Sequence, residues 1–483
     1  MPPPSAQHDP LNKTTRPHLV DSIAALCWYS IINAHSHPKP AALPGTNRLL
    51  WVLWITYGSF YFCRNNLAIA LPGMEAELGY TKAQLGTVLM ALKLTYGAGQ
   101  FLNGQLAERV APRKLLAIGL LASAGLNVLF GWMTSLYFLT FVWACNGYVQ
   151  ALGWTPTMRV AANWFDPVHR GRAIGIIATG YQLCATLTFF VAGWATEVLG
   201  WRGALYIPAI LLVASAAHML FFLKERPQAT NQDGMPKEET QARGTLRDNL
   251  ALTLTNPGLW LLAMALALLD ACRYGFSDWG VSHLKEVQRV SVSSAAFKYA
   301  VLPLGGIIGT YVSGWLTDRF FNGRRAPVVC SLLVFLAVLA LVYNSIIQMG
   351  FVASVVILFL LGFCIYGPQV LLVGTFPVDL ARRGTAAAAT GFVNAAGYIG
   401  AAAGDKLTGY LAHQYGWQRA IWFWASCALG AAVIVAGLWN KGGTTHVHGP
   451  RTVPRSQQPR LDKGPPDSQR TPCMLTGGAL AGL

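Results

Sequence analysis

Charged side chains are scarce in this chain. Asp, Glu, Lys and Arg make up 12% of its 483 residues, whereas 53% of the residues are hydrophobic. The mean hydropathy is +0.40. Soluble domains carry about 25% charged residues, so the composition excludes an ordinary soluble protein and is typical of a membrane protein.

Groupings of reactive side chains are also lacking. The nine cysteines include no CxxC pair and are mostly scattered through apolar stretches, which argues against a redox, disulfide or zinc role. His446 and His448 lie close together near the C-terminus but have no further ligands nearby. No set of nucleophile, base and orienting residue is recognisable. The sequence therefore predicts no metal, no cofactor and no enzyme.

Long apolar stretches dominate what is present. Each is near the about 20 residues that cross the hydrocarbon core as a helix, and none shows the alternating segments of about ten residues that a barrel would require. The twelve stretches lie near residues 50–72, 84–106, 115–133, 137–160, 173–197, 203–223, 257–282, 295–317, 327–348, 352–378, 386–412 and 419–439. We predict an all-α membrane protein with twelve transmembrane helices.

Basic residues outnumber acidic ones, 36 to 20, and this excess of positive charge has a regular position. It falls in the short connections after the second, fourth, eighth and tenth stretches, at Arg109, Arg113, Lys114, Arg170, Arg172, Arg319, Arg324, Arg325, Arg382 and Arg383. The positive-inside rule places these loops and both termini in the cytoplasm, for which we expect a bacterial inner membrane. The excess positive charge thus reflects membrane orientation. The sequence shows no basic folded face of the kind that binds nucleic acid.

Composition also divides the chain. We predict a cytoplasmic N-terminal extension over residues 1–45, a six-helix bundle over 46–223, a polar cytoplasmic linker over 224–256, a second six-helix bundle over 257–440 and a disordered tail over 441–483.

The two predicted bundles repeat each other. Similar loop sequences begin at Gly104 and Gly314, 210 positions apart, and the triplets HRG and RRG end 213 positions apart. The dipeptide GW begins at positions 200 and 416, and two arginines within apolar stretches, Arg64 and Arg273, are 209 positions apart. A pair of parallel six-helix repeats is a known plan for transporters.

The two arginines are the strongest functional signal. A cation inside the bilayer is costly, so an intramembrane arginine indicates a functional site with an anionic partner. Because the two occupy equivalent places in the repeat, the sequence predicts that the protein moves an anion across a membrane. Tyr57 and Tyr61 precede Arg64 by seven and three residues and share its helical face.

Loop and helix motifs extend this interpretation. GQLAERVAPRK and GWLTDRFFNGRR resemble the loop signature of the major facilitator superfamily. The segments FCRNNLAIALPG, NWFDPVHRG, CRYGFSDWG and GFVNAAGYIG resemble the organophosphate:phosphate antiporters of that superfamily, from about residue 51 to residue 440. The loop resemblance implies a cytoplasmic gate built from Glu108, Arg109, Asp318 and Arg319.

The antiporter resemblance implies a mechanism and a site. It implies exchange of a phosphorylated metabolite for inorganic phosphate in the lipid bilayer, by a monomer in which Arg64 and Arg273 hold the phosphoryl group. Guanidinium forks suit that dianion because they bind its oxygens bidentately. Further cavity residues are implied at Tyr96, Tyr366 and Tyr398.

Three positions depart from the glycerol-3-phosphate carriers. Gln100 stands where they have a lysine, Tyr181 where they have a histidine, and Asp270 where they have a tyrosine. A hexose phosphate, another phosphorylated metabolite or a phosphonate is therefore at least as plausible a substrate. Two other functions stay open, a transporter-like sensor of external sugar phosphate and a proton-coupled organic-anion carrier. Asp405 and Lys406 belong either to the cavity or to its outer mouth.

Overall fold

The computed structural model describes residues 46–165, 167–225, 251–381 and 385–439. The predictions for residues 1–45 and for the tail, and most of the linker prediction, fall outside this part of the chain, as do Arg382 and Arg383. Within the described part all regular structure is helical, and two sequence-related halves together form one compact unit. The prediction of an all-α membrane fold is confirmed.

The N-terminal half contains six helical rods, two of them interrupted. Their bounds are α1a Thr46–Ser59, α1b Leu67–Leu78, α2 Lys82–Arg109, α3 Pro112–Trp132, α4a Leu136–Gln150, α4b Trp154–Trp164, α5 Pro167–Leu199 and α6 Gly203–Phe222. A 3₁₀ turn, Phe60–Cys63, lies between α1a and α1b.

The C-terminal half also contains six rods. Their bounds are α7 Pro257–Gln288, α8a Val292–Tyr299, α8b Val301–Phe320, α9 Arg325–Ile347, α10a Phe351–Val370, α10b Phe376–Leu380, α11 Ala386–Tyr415 and α12 Trp417–Ala436. A π turn, Leu371–Thr375, joins α10a to α10b.

Hydrophobicity is unevenly shared among these rods. Seven helical segments of the described residues are long and apolar enough to cross a membrane, and one of them, His169–Phe222, runs through both α5 and α6. The rods outside that set are α1, α2, α4 and α11. α1 and α4 are interrupted by helix breaks, which leave each of their segments short, and α2 and α11 carry buried polar side chains.

The halves meet through α1, α2 and α5 on one side and α7, α8 and α11 on the other. We call the end where α1a begins the terminal end and the opposite end the distal end. At the distal end Gly409 of α11 lies against α2 so closely that a Cβ there would be 2.4 Å from the Lys82 carbonyl oxygen. Lys82 Nζ also forms an ion pair of 2.9 Å with Glu286 of the other half. The structure is therefore closed at its distal end.

Candidate anion-binding site

Arg64 lies where the first rod is interrupted. The chain leaves helical geometry after Cys63 and resumes it at Leu67, so Arg64 follows the 3₁₀ turn directly. A break frees backbone carbonyls, and inside a membrane such groups must find partners within the protein.

A buried polar network supplies those partners. Asn146 Nδ2 donates to the Cys63 carbonyl at 3.0 Å, and Gln150 Nε2 donates to the Phe60 carbonyl at 3.1 Å. Asn66 Nδ2 donates to Asn127 Oδ1 at 2.8 Å. These amides come from α3, α4a and the break itself, so they fix the backbone from which Arg64 projects.

The Arg64 guanidinium lies among aromatic rings. Its Cζ is 3.9 Å from the Tyr96 ring centroid and 4.8 Å from that of Tyr61. The side chain is buried, and its Nε has no hydrogen-bond partner among the described residues. Rings stabilise the cation through their negative faces but leave in-plane N–H donors available for an anion.

Arg273 also lies among aromatic rings, in the other half. It lies within the unbroken helix α7, and its Cζ is 4.6 Å from the Tyr274 ring and 4.9 Å from the Tyr366 ring. Its Nε also lacks a hydrogen-bond partner within the described part of the chain. Unlike Arg64, it has an acid beside it, because its Nη1 is 3.4 Å from Asp270 Oδ1.

The two arginines share neighbours. Tyr61 and Tyr274 each interact electrostatically with both guanidinium groups. Tyr181 of α5 stacks on Tyr61 with ring centroids 4.9 Å apart and is a further electrostatic neighbour of Arg273. The structure therefore brings one buried arginine from each half to a common tyrosine-lined centre.

The other predicted cavity residues surround this centre. Tyr57 packs against Tyr61 and Tyr181, with centroids 6.3 Å away in each case. Gln100 Nε2 donates to the Tyr96 hydroxyl at 2.8 Å, and the Tyr96 ring lies 4.7 Å from the Tyr398 ring. Gln100 thus places a neutral amide, and not a cation, beside Tyr96.

The predicted gate residues lie at the terminal end. Asp318 Oδ1 is 3.2 Å from Arg325 Nη1, a pair within the C-terminal half whose acid is largely exposed. Arg109 and Arg319 are also exposed, and the side chain of Glu108 lies outside the described residues. Asp318 thus pairs with an arginine at the start of the next helix, which leaves the gate role a prediction.

Sequence reasoning missed several residues of this region. The sequence patterns did not single out Tyr274 or the amides behind Arg64. Lys93 and Asp278 were also missed, although Lys93 is a charge inside an apolar stretch, the same signal that identified the arginines. Asp405 and Lys406 lie on α11 beside α2: Lys406 Nζ donates to Thr87 Oγ1 at 2.6 Å and to the Ala83 carbonyl at 2.9 Å, near the distal start of α2.

Comparison with known proteins agrees with this architecture. The family description of the Major Facilitator Superfamily matches residues 53–405. The chain is 29% identical to a probable hexose phosphate transport protein of Chlamydia trachomatis over 81% of this chain and 91% of the relative. It is 32% identical to the glycerol-3-phosphate transporter of Bacillus subtilis, with the same two coverages. The membrane sensor protein UhpC of Escherichia coli is 30% identical over 73% of this chain and 83% of its own length.

A solved structure shares the fold. It is the crystal structure of a bacterial homolog of the human lysosomal transporter Spinster in an inward-facing, unoccupied conformation. The TM-score is 0.65 at 16% identity, over 83% of this chain and 96% of the other. At that identity the likeness shows the architecture alone.

Proposed function

The chain belongs to the Major Facilitator Superfamily, and we propose that it exchanges a phosphorylated organic metabolite for inorganic phosphate across a membrane. Its membership of this transporter family means that it is an integral membrane transport protein and not an enzyme. The substrate class, the exchange and the role of the two arginines are the proposal. Relatives named as transporters of hexose phosphate and glycerol 3-phosphate support the substrate class.

One observation carries the proposal: Arg64 and Arg273 reach a common centre from opposite halves, and the Nε of each has no hydrogen-bond partner among the described residues. A phosphate monoester has close to two negative charges and three acceptor oxygens, which two guanidinium groups can share. The tyrosine hydroxyls around them are further donors to the same oxygens. The binding site is thus divided between the halves.

This division couples binding to movement. A dianion neutralises two cations that otherwise repel each other, so the loaded protein can bring its halves together and change conformation. The empty protein retains the repulsion, reduced by Asp270, and changes conformation slowly. A carrier that moves only when loaded performs exchange, and inorganic phosphate can serve as the second substrate.

The basic loops indicate the orientation in the membrane, and the shared site indicates how many chains are needed. Arg109, Arg319 and Arg325 all lie at the terminal end, so we place that end in the cytoplasm of a bacterial inner membrane. Each half contributes one arginine to the single site, so one chain is sufficient for transport.

The test is counterflow. The purified protein in proteoliposomes loaded with phosphate should take up labelled phosphate, and externally added hexose phosphates, glycerol 3-phosphate and phosphonates should compete in proportion to their affinity. Liposomes without internal phosphate should show little uptake. Uptake that needs no internal anion and follows an imposed proton gradient would favour the proton-coupled carrier instead.

A second function has one observation in its favour, the similarity to the membrane sensor protein UhpC. A sensor of this type would bind external sugar phosphate through the same arginines and signal without transport. Binding of hexose phosphate together with no counterflow in the same preparation would support this alternative.

A further inference from the structure

A second buried charged group joins the two halves. Lys93 Nζ of α2 lies 2.5 Å from Asp278 Oδ2 of α7 and 3.5 Å from Asp405 Oδ2 of α11. All three side chains are nearly inaccessible to solvent, and Asp405 is completely buried. We call these three residues the interhalf triad.

The triad lies between the arginine centre and the distal end. Asp278 follows Arg273 by five residues on α7, which corresponds to about 7.5 Å along the helix axis. Asp278 and Asp405 are each ten residues from the distal ends of their helices, and Lys93 is eleven residues from the distal start of α2. The triad therefore lies on the path that must open if the site is to be reached from the distal side.

The charges of the triad do not balance when all three groups are ionised, since one ammonium faces two carboxylates. The 2.5 Å contact assigns Asp278 to Lys93 as the close ion pair. Asp405 is left over: neither of its oxygens accepts a hydrogen bond within the described part of the chain. A fully buried carboxylate whose only nearby cation is already held more closely by a second acid is so unfavourable in its charged form that it takes up a proton.

We propose that the interhalf triad is a proton-binding lock, in which Asp405 carries one proton whenever the distal end is closed. Opening that end moves α2 away from α7 and α11, separates Lys93 from both acids and admits water. Asp405 then ionises and releases its proton to the distal side. This inference rests on the proposed transport cycle only in requiring that the two ends open alternately.

The surroundings of the triad leave Asp405 as the group that titrates. From α7, Tyr274 lies with its ring 4.1 Å from Lys93 Nζ, and Asp270 interacts electrostatically with the same ammonium. On α11, Lys406 Nζ already donates hydrogen bonds to Thr87 and Ala83 near the start of α2. From α12, the Trp424 indole donates to Thr408 Oγ1 at 2.9 Å, one turn beyond Asp405. Asp270 has its own cation in Arg273, so it does not replace Asp405.

The direction of the pH effect follows by linkage. The closed state binds one proton more than the open state, so acid favours the closed distal end and alkali favours opening. For one proton the ratio of open to closed protein changes by up to about tenfold per pH unit. Because both carboxylates contact the same ammonium, the pH midpoint of opening depends on all three groups of the triad.

The experiment measures opening without any substrate. Spin labels are placed at Val198 and Met349, two exposed positions at the distal ends of opposite halves. Distances between them are recorded by double electron–electron resonance in lipid nanodiscs from mildly acidic to mildly alkaline pH. The long-distance, open population should grow as pH rises.

Two variants and a control identify the group responsible. Asp405→Asn cannot ionise and should stay closed at every pH. Asp278→Asn leaves one acid for one ammonium, so it should lose the pH dependence as well. Glu77→Gln removes an acid at the same end whose partner, Arg202, is 2.6 Å away in the same half, and it should behave as the unsubstituted protein.

Infrared spectroscopy reports the proton directly. The unsubstituted protein in its closed state should show a carbonyl stretch of a protonated carboxyl group that is missing from Asp405→Asn but retained in Asp270→Asn. A distance distribution that does not change with pH, or one that changes equally in Asp405→Asn and Glu77→Gln, would overturn the proposal. Neither readout involves substrate, so a failure of phosphate counterflow would count only against the proposed function.

Discussion

Asp270 Oδ1 lies 3.4 Å from Arg273 Nη1, one helical turn away on α7. Charge-assisted contacts are strongest at about 2.7–2.9 Å, so this pair is a loose one. Gly397 of α11 makes room for it, since a Cβ there would be 2.6 Å from Asp270 Oδ2. The acid thus partly neutralises the arginine while leaving it open to a stronger anion.

Removal of this acid should tighten phosphate binding. In Asp270→Asn the arginine no longer has an internal competitor, so we expect the Kd for phosphate to fall by about tenfold, which corresponds to about 1.4 kcal/mol. The variant should also lose the part of the pH dependence of phosphate binding that Asp270 causes. Isothermal titration calorimetry across pH measures both effects.

The control for this prediction is Asp379→Asn, which removes an acid that pairs with Arg325 at the terminal end. It should leave phosphate affinity unchanged. Weaker binding by Asp270→Asn with an unaltered pH profile would make Asp270 a structural residue.

The arginine pair should not tolerate lysine. Arg64→Lys or Arg273→Lys keeps the charge but loses the planar fork that binds two oxygens, so phosphate exchange should fall by orders of magnitude while membrane insertion is retained. Counterflow in proteoliposomes at equal protein content measures the loss. Arg419→Lys, at an exposed position beside Trp422, is the matched control. Normal exchange by Arg273→Lys would contradict the proposed role of the arginine pair in phosphate binding.

A cation at position 100 should alter anion affinity. Gln100 donates to the hydroxyl of Tyr96, whose ring covers Arg64, so Gln100→Lys brings a third positive charge next to the centre. We expect tighter binding of doubly charged phosphate esters and slower release, seen as a lower KM and a lower maximal exchange rate. Gln348→Lys, an exposed substitution, controls for net charge. An unchanged KM would show that position 100 does not reach the substrate.

The amide network behind Arg64 should be needed for stability and for positioning. Asn146→Leu removes the 3.0 Å hydrogen bond to the Cys63 carbonyl, which then keeps, among the described residues, the longer 3.4 Å contact from Asn127. A buried group that loses its partner costs about 1–3 kcal/mol, so the protein should unfold at lower temperature and exchange more slowly. Thermal unfolding in detergent measures the first effect and counterflow the second. Gln348→Leu should change neither, and an equally stable Asn146→Leu would mean that water replaces the amide.

Much of the fold could be predicted because hydrocarbon imposes strong rules on sequence. Length and apolarity located the twelve helices, and the cost of a membrane charge singled out Arg64 and Arg273. Lys93 obeys the same rule and was missed, since it lacks a counterpart in the repeat. The repeat also suggested equivalent settings for the two arginines, yet Arg64 follows a helix break and Arg273 lies in an unbroken helix.

The sequence by itself determined which elements form and where charge is out of place. The tertiary structure alone decided which charges of different helices meet: Lys93 of the N-terminal half contacts Asp278 and Asp405 of the C-terminal half. The physical reason is range. Helix formation and membrane partition depend on neighbours along the chain, whereas ion pairing depends on atoms brought together from positions as far apart as 93 and 405, and helix packing alone fixes those distances.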